Sequence, residues 1–365
     1  MSPDSLGPEL LALAATVLAA VLVSPLWNRA ARPGRRLAVR TAAVAACLIT
    51  AAATALLWVN RQVEAYPTWA GLLGSEPATA VPAASAGGAG TGTVTTMTVT
   101  GPASGLTLPM YVYLPPGYDR QPATRYPVVE ALHGYPGSPA QWLSGLHAAA
   151  VLDEEIDAGR MAPTVVLFPY QTPDPALDTE CTDLAGGPRA ETFLTVDVPA
   201  AAKARLHLRT DAAGWGLIGY SAGGYCATDL LLRHPMEYAA GAALSGYATP
   251  GIRVGDGAEN TGYNALWRLA HLPPPAVSLY LSCARTDRAP MRDTQALAAA
   301  ARAPLSVTTS YLGGGGHNLR SWQAMEAPAF DWLSTSLGRP AGPEMGRVAV
   351  PPKETTALRP PGGGR

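Results

Sequence analysis

Between residues 215 and 233 the chain passes from a short apolar segment, Trp215 to Ile218, through Gly219, Tyr220, Ser221, Ala222 and Gly223 into a helix-like stretch, Tyr225 to Arg233. A GxSxG pentapeptide in that setting predicts a nucleophile elbow, a tight strand-to-helix turn that lifts a serine hydroxyl above a sheet. With 38 glycines in 365 residues the pentapeptide alone carries little weight, so its surroundings must decide.

Those surroundings alternate. Short apolar runs occur at Met110 to Leu114, Pro127 to Leu132, Thr164 to Phe168, Gly216 to Ile218, Ala239 to Leu244 and Ala276 to Ser282. Helix-like segments lie between them at Ala148 to Ala158, Val198 to Leu206, Tyr225 to Arg233 and Thr294 to Ala301. Strands alternating with helices predict βαβ units and a mainly parallel sheet, an α/β fold. In such sheets ligands sit beyond the carboxyl ends of the strands, so reactive side chains are expected in the loops that follow the runs.

The first 61 residues differ in kind. Leu10 to Asn28 and Thr41 to Asn60 carry no charge, and each has about the length needed to cross a hydrocarbon core as a helix. Their connector holds Arg29, Arg32, Arg35, Arg36 and Arg40 and no acidic residue, whereas Asp4 and Glu9 lie near the start. An excess of arginine on one side predicts that the connector is cytoplasmic and that the long C-terminal part faces outward, at the plasma membrane. A signal peptide built on the second stretch is the alternative, and it also leaves the main part outside. Residues 62–92 and 338–365 are rich in Pro, Gly and Ala without periodicity, which predicts a flexible tether and a disordered tail around one domain at 93–337. The net charge of −1 excludes a polyanion-binding footprint, so no nucleic acid is expected as partner.

A serine hydroxyl becomes a useful nucleophile when a base takes its proton and a carboxylate fixes that base. In strand-to-helix elbows of this kind the order along the chain is serine, then acid, then histidine. His133, His147 and His207 precede Ser221, leaving His234, His271 and His317. His234, in Arg-His-Pro, is expected to cap a helix end, and His271, before three prolines, to lie in a loop. His317 follows Gly313 to Gly316, directly after the apolar pair Tyr311 and Leu312, and is the preferred base. Asp287, four residues beyond the run Val277 to Cys283, is the preferred acid, while Asp293 is expected to serve as a helix cap. The oxyanion needs two fixed donors. The backbone N–H of Ala222 supplies one, and the loop after Pro127 to Ala131 supplies the other, from Tyr135 or alternatively Gly134.

At this point the chain resembles a known family. Tyr-Leu-Pro-Pro-Gly-Tyr-Asp at 113–119, Leu-His-Gly-Tyr-Pro-Gly-Ser at 132–138, the elbow, Arg-His-Pro at 233–235, Leu-Ser-Gly at 244–246, and Gly-Gly-His-Asn at 315–318 with Trp322 are similar to segments of one esterase family of α/β-hydrolases. That family includes esterase D, enterochelin esterases, feruloyl esterases and mycolyltransferases, some of them membrane-tethered in actinobacteria. The resemblance implies an α/β-hydrolase fold for the main domain, Ser221, Asp287 and His317 as triad, and the tyrosine after His-Gly as oxyanion donor; it does not reach the two-helix transmembrane hairpin ahead of that domain, which is expected from hydropathy and charge. It implies a serine hydrolase acting on a small-molecule or lipid ester, either as a carboxylesterase or as an acyltransferase. A non-catalytic envelope scaffold is the rival, because a fold does not fix a function.

Four cysteines remain. Cys47 lies in an apolar helix, and Cys283, at a strand end, is expected as a free thiol. Cys181, in the long connection 169–190, and Cys226, behind Ser221, could form a disulfide outside the cytoplasm, the alternative being two separate thiols. No ligand spacing suggests a metal, and the chemistry calls for no cofactor. The connections 169–190 and 247–275 are expected to shape the substrate pockets, with Trp142, Trp267 and Trp322 either lining a cleft or filling the core.

Overall fold

A computed structural model describes residues 2–3, 5–27, 33–63, 69–73 and 90–342. Most of the expected tether and tail lies outside these residues.

The N-terminal part holds α1 (Leu6–Trp27), α2 (Pro33–Val63) and a short α3 (Trp69–Leu72). The first two are long and apolar enough to cross a membrane and run antiparallel. Thr16 and Thr54 meet across them with hydroxyl oxygens 3.0 Å apart, each also 2.9 Å from a carbonyl of its own helix, at Ala12 and Thr50, so that one hydroxyl can donate across while the other donates back. Glu9 pairs with Arg61 at one end of the hairpin. At the other, Arg40 donates to the Trp27 carbonyl at 3.0 Å, its guanidinium 4.7 Å from the indole. Leu11, Leu18, Val21, Leu48 and Ile49 point outward, away from protein. That arrangement suits an apolar solvent, where backbone and hydroxyl groups must be satisfied within the helices.

The remainder is one α/β unit. In chain order it contains β1 (Thr93–Thr100), β2 (Thr107–Leu114), β3 (Val128–Leu132), α4 (Ala140–Ser144), α5 (Ala148–Asp157), β4 (Val165–Pro169), α6 (Ala190–Thr192) and α7 (Val198–Arg205). Then follow β5 (Trp215–Tyr220), α8 (Ala222–Arg233), β6 (Ala240–Leu244), α9 (Ala265–His271), β7 (Ser278–Ala284), α10 (Arg288–Ala300), β8 (Ser306–Leu312) and α11 (Leu319–Ser336). The eight strands form one sheet in the order β1-β2-β4-β3-β5-β6-β7-β8. Only β2 runs against its neighbours, so the sheet is mainly parallel.

Every residue of β3, β4, β5 and β6 is buried, as expected of parallel strands covered on both faces. One face packs Phe193, Val198, Tyr225, Leu230 and Leu297 into a core. The other packs Trp142, Leu152, Trp322 and Phe330 from α4, α5 and α11. Pairing of Leu132 with Gly219, Tyr220 with Leu244, and Ala284 with Leu312 brings the carboxyl ends of β3, β5, β6, β7 and β8 to one edge.

The sheet differs from the sequence reading at its margins. β1 and β8 were not among the expected strands because both are edges, with threonine and serine on half-exposed backbone in place of an apolar run. The long α11, which carries Pro328, also lacked an expectation. Beyond it, Arg125 and Ala341 form an isolated bridge and the Gly338 amide donates to the Ala213 carbonyl at 2.7 Å, so the chain stays packed past residue 337.

Glu130, on β3, is fully buried with a Tyr238 hydroxyl 3.3 Å from one oxygen, and burial pushes its carboxyl up to about 8. An unfolded glutamate releases its proton near pH 4.3. Native stability is therefore undiminished at pH 4 and is lost progressively as pH rises towards 8. Glu130→Gln should leave the thermal midpoint unchanged near pH 4.5 and raise it at pH 8, by an equivalent of roughly 2–4 kcal/mol, measured by intrinsic fluorescence.

Candidate active site

The turn between β5 and α8 places Ser221 at φ 56° and ψ −122°, a conformation that a non-glycine residue holds only under constraint. The constraint is close packing of bare backbone. A Cβ on Gly219 would lie 1.9 Å from the Gly223 carbonyl oxygen, and one on Gly223 would lie 2.1 Å from the Leu132 carbonyl oxygen. The Ser221 amide donates to the Leu244 carbonyl at 2.9 Å, which fastens the turn to β6. Ser221 is left 7% exposed at the carboxyl edge of the sheet.

From there three side chains form a continuous hydrogen-bonded line. Ser221 Oγ is 2.7 Å from His317 Nε2, and His317 Nδ1 is 2.8 Å from Asp287 Oδ2. Asp287 occupies the N-cap position of α10, yet its carboxylate makes no cap hydrogen bond and turns to His317 instead. His317 follows β8 on a glycine loop in which Gly315 has φ 135°. Thr286 donates to the Gly315 carbonyl, and Ser321 Oγ accepts from the Gly316 amide at 2.9 Å, so the acid loop and the histidine loop brace one another. The His317 ring meets Trp322 edge-on at 5.1 Å, and Trp322 stacks on Tyr220 at 4.7 Å.

The loop after β3 lies against the elbow, since a Cβ on Gly134 would come 3.2 Å from Ser221 Cβ. Tyr135 follows at the surface, its hydroxyl donating to the Ala176 carbonyl at 2.9 Å. Ala222 opens α8, and the first amides of a helix have no partner within it. His133 is buried, which pushes its imidazole down to about 4, and its Nδ1 lies 2.8 Å from the Gly134 carbonyl oxygen. It is thus a neutral ring that stiffens the loop.

Other residues fall in different places. Asp293 is inside α10, not at its start, and accepts the Ala248 amide at 3.2 Å. His234 ends α8 but turns its ring to Glu191 at 2.7 Å, joining a buried cluster with Arg233 and Tyr263. His271 is the last residue of α9, not a loop residue, and stacks on Trp267 at 4.5 Å. Trp142 and Trp322 belong to the core. Cys181 and Cys226 are disulfide-bonded with Cα atoms 5.7 Å apart, and Cys283 is a buried free thiol that burial beside Asp287 pushes up to about 12.

Three residues near the site had no signal in the sequence. Gln171 clamps the backbone of His133, accepting its amide at 2.5 Å and donating to its carbonyl at 3.1 Å. Tyr247 stacks on Tyr225 of α8 at 6.0 Å, and its hydroxyl donates to Glu180 at 3.3 Å. All three sit in the connections expected to shape the pockets, where no periodicity marks individual positions.

The sheet order, the elbow and this line of side chains define an α/β-hydrolase fold of the serine-hydrolase class. The Esterase family model matches residues 103–331, and the chain belongs to that family. An uncharacterized protein of Corynebacterium glutamicum is 26% identical over 246 residues, 62% of this chain and 57% of that protein, so the chain spans less than two thirds of that relative. Among solved structures, a ferulic acid esterase superposes with a TM-score of 0.60 at 18% identity, covering 68% of this chain and 99% of that one. The S-formylglutathione hydrolase of Agrobacterium tumefaciens gives 0.57 at 15% identity over 69% and 98%. A fluorophosphonate-binding serine hydrolase of Staphylococcus aureus gives 0.54 at 15% identity over 67% and 99%. At these identities the structural likeness speaks for the fold.

The disulfide closes a sequence separation of 45 residues. Losing such a closure costs about 4 kcal/mol in the chain-entropy account. Cys181→Ser with Cys226→Ser should lower stability by about that amount in urea unfolding. Alkylation of the unreduced, denatured wild type should modify Cys47 and Cys283 alone.

Proposed function

We propose that this protein is a serine esterase held at the outer face of the plasma membrane by its N-terminal helix hairpin. The observation that carries the reading is the line from Ser221 through His317 to Asp287, at 2.7 and 2.8 Å, on a constrained elbow. Ser221 Oγ attacks the carbonyl carbon of a carboxylic ester while His317 Nε2 accepts its proton. Asp287 holds the imidazole with Nε2 toward the serine and stabilises the imidazolium that forms. The N–H groups of Ala222 and Tyr135 receive the oxyanion.

Collapse of the tetrahedral intermediate expels the alcohol, which takes the proton from His317 and leaves an acyl-serine. Water then enters, His317 accepts a proton from it, and the second intermediate collapses to release the acid and restore Ser221. A sugar or lipid hydroxyl in place of that water makes the same steps an acyl transfer. No metal or cofactor takes part in this scheme.

The location rests on charge and length. The antiparallel apolar helices and an arginine-only connector favour a cytoplasmic connector with the domain outside, an environment in which the Cys181–Cys226 bond persists.

The full chain in mild detergent, treated with a fluorophosphonate probe, tests the chemistry. Wild type should label rapidly, Ser221→Ala not at all, and His317→Ala more slowly by about 1,000-fold or more. A folded wild type that does not label would leave a binding or scaffold role. Turnover of ester panels with competing alcohols then separates hydrolysis from acyl transfer by the products. For location, protease added to intact spheroplasts should remove the domain at 93–337; full protection would place it in the cytoplasm.

A further inference from the structure

The pairing of β3 with β4 stops short of the site. It runs from Val128 opposite Val165 to Glu130 opposite Leu167, whereas β3 stays paired with β5 as far as Leu132 opposite Gly219. His133, the next residue, lies beyond both ladders. It is 2% exposed, so its N–H and C=O cannot turn to water, and a buried backbone group left without a partner is costly.

Gln171 meets both groups. It lies two residues past the end of β4 and is 6% exposed. Its Oε1 accepts the His133 amide at 2.5 Å and its Nε2 donates to the His133 carbonyl at 3.1 Å. A carboxamide carries an acceptor and a donor side by side, so it pairs with one residue of main chain much as a further strand would.

The same connection holds the loop after β3 a second time, through the Tyr135 hydroxyl, which donates to the Ala176 carbonyl at 2.9 Å. The Tyr135 N–H lies between these two attachments. On the other side the loop rests on the elbow, where a Cβ on Gly134 would come 2.8 Å from the Tyr220 ring and 3.2 Å from Ser221 Cβ. Packing thus limits the loop toward β5, and hydrogen bonds hold it toward β4.

Gln171 is itself fixed. Thr179 Oγ1 donates to its carbonyl at 2.9 Å, and Thr182 Oγ1 donates to the Thr179 carbonyl at 2.7 Å. Between those threonines Cys181 is bonded to Cys226 of α8, the helix that begins with Ala222. The Tyr135 and Ala222 amides are therefore both held relative to one helix.

We propose that Gln171 is a positioning residue for the oxyanion: by clamping His133 it sets where the Tyr135 N–H points relative to that of Ala222. That role rests on the reading of Ser221 as nucleophile and of these two amides as the oxyanion donors. Such donors act on charge that develops only as the reaction proceeds, and a displacement of about 1 Å costs about 100-fold in rate. The hydrogen bonds of Gln171 go to His133 and Thr179, not to Ser221, His317 or Asp287. Losing them should slow the chemical step and leave the activation of the serine as it was.

The test is fluorophosphonate labelling of the full chain in detergent at increasing probe concentration, which separates the maximal rate from the concentration that gives half of it. The phosphonyl oxygen gains charge as Ser221 attacks, as the carbonyl oxygen of an ester does. Gln171→Met keeps the length of the side chain and gives up both hydrogen bonds. It should label to the wild-type extent with a maximal rate lower by about 100-fold and a half-saturating concentration within about threefold.

Gln171→Glu supplies a second arm. Protonated, it accepts and donates as the amide does; ionised, it can only accept, and it faces a carbonyl oxygen. Its maximal rate relative to wild type should fall as pH rises from 5 to 9, a dependence that lost packing alone would not produce. Near-ultraviolet circular dichroism checks folding, and if Gln171→Met does not fold the Gln171→Glu ratio decides. A folded Gln171→Met that labels at the wild-type maximal rate, or a Gln171→Glu ratio that stays at 1 throughout, would overturn the inference and leave Ser221 as nucleophile. A folded wild type that never labels would overturn both readings.

Discussion

The backbone of Ser221 is the constraint on which the rest of the site depends. Holding a serine at φ 56° and ψ −122° costs roughly 1–3 kcal/mol, and a lone turn would relax. It persists because β5 is a central strand, hydrogen-bonded on both sides, and because α8 presses on it through bare backbone. Gly223 touches the Leu132 carbonyl and Gly224 touches Gly246, so the elbow is wedged between the ends of β3 and β6. Opening the angle would mean parting strands whose every residue is buried.

What surrounds the elbow is held by a second tier of contacts that no strand supplies. The connection after β4 reaches over the site and does three things there. Gln171 fixes the backbone of His133 and with it the loop that carries Tyr135. Thr179 donates to the Gln171 carbonyl at 2.9 Å, tying the far end of the connection to its start. Cys181 then fastens it to α8. A segment without regular structure is thus tied down at Gln171, Thr179 and Cys181.

Much of this was legible in the sequence, for reasons that differ from residue to residue. The central strands read clearly because burial on both faces demands unbroken apolar runs, and the elbow because a Cβ on Gly219 or Gly223 would lie within 2.5 Å of neighbouring backbone. Ser221, Asp287 and His317 could be picked out because each lies just past a strand end, and those ends share one edge of the sheet. The edge strands β1 and β8 were not legible: half their residues face water, and Thr-Val-Thr-Thr carries no apolar signature. Nor were Gln171, Glu180 and Tyr247. Their roles come from distances between loops, 38 residues apart for Gln171 and His133 and 67 for Glu180 and Tyr247, which no local pattern encodes.

Glu130 and Glu180 illustrate why burial of an acid has no single meaning. Burial pushes both carboxyls up to about 8, and each lies 3.3 Å from a tyrosine hydroxyl. For Glu130 the tyrosine is Tyr238, enclosed between β3 and the end of α8, and the proton bears only on how well the sheet holds together. For Glu180 the tyrosine is Tyr247, whose ring stacks on Tyr225 of α8 at 6.0 Å, so the same proton bears on how the connection after β4 is held against that helix. Both carboxyls lower stability as pH nears 8, and coincidence in pH alone would not tell them apart. They separate by substitution, because the hydrogen bond of Glu130 ends at Tyr238 in the sheet core and that of Glu180 joins two loop connections.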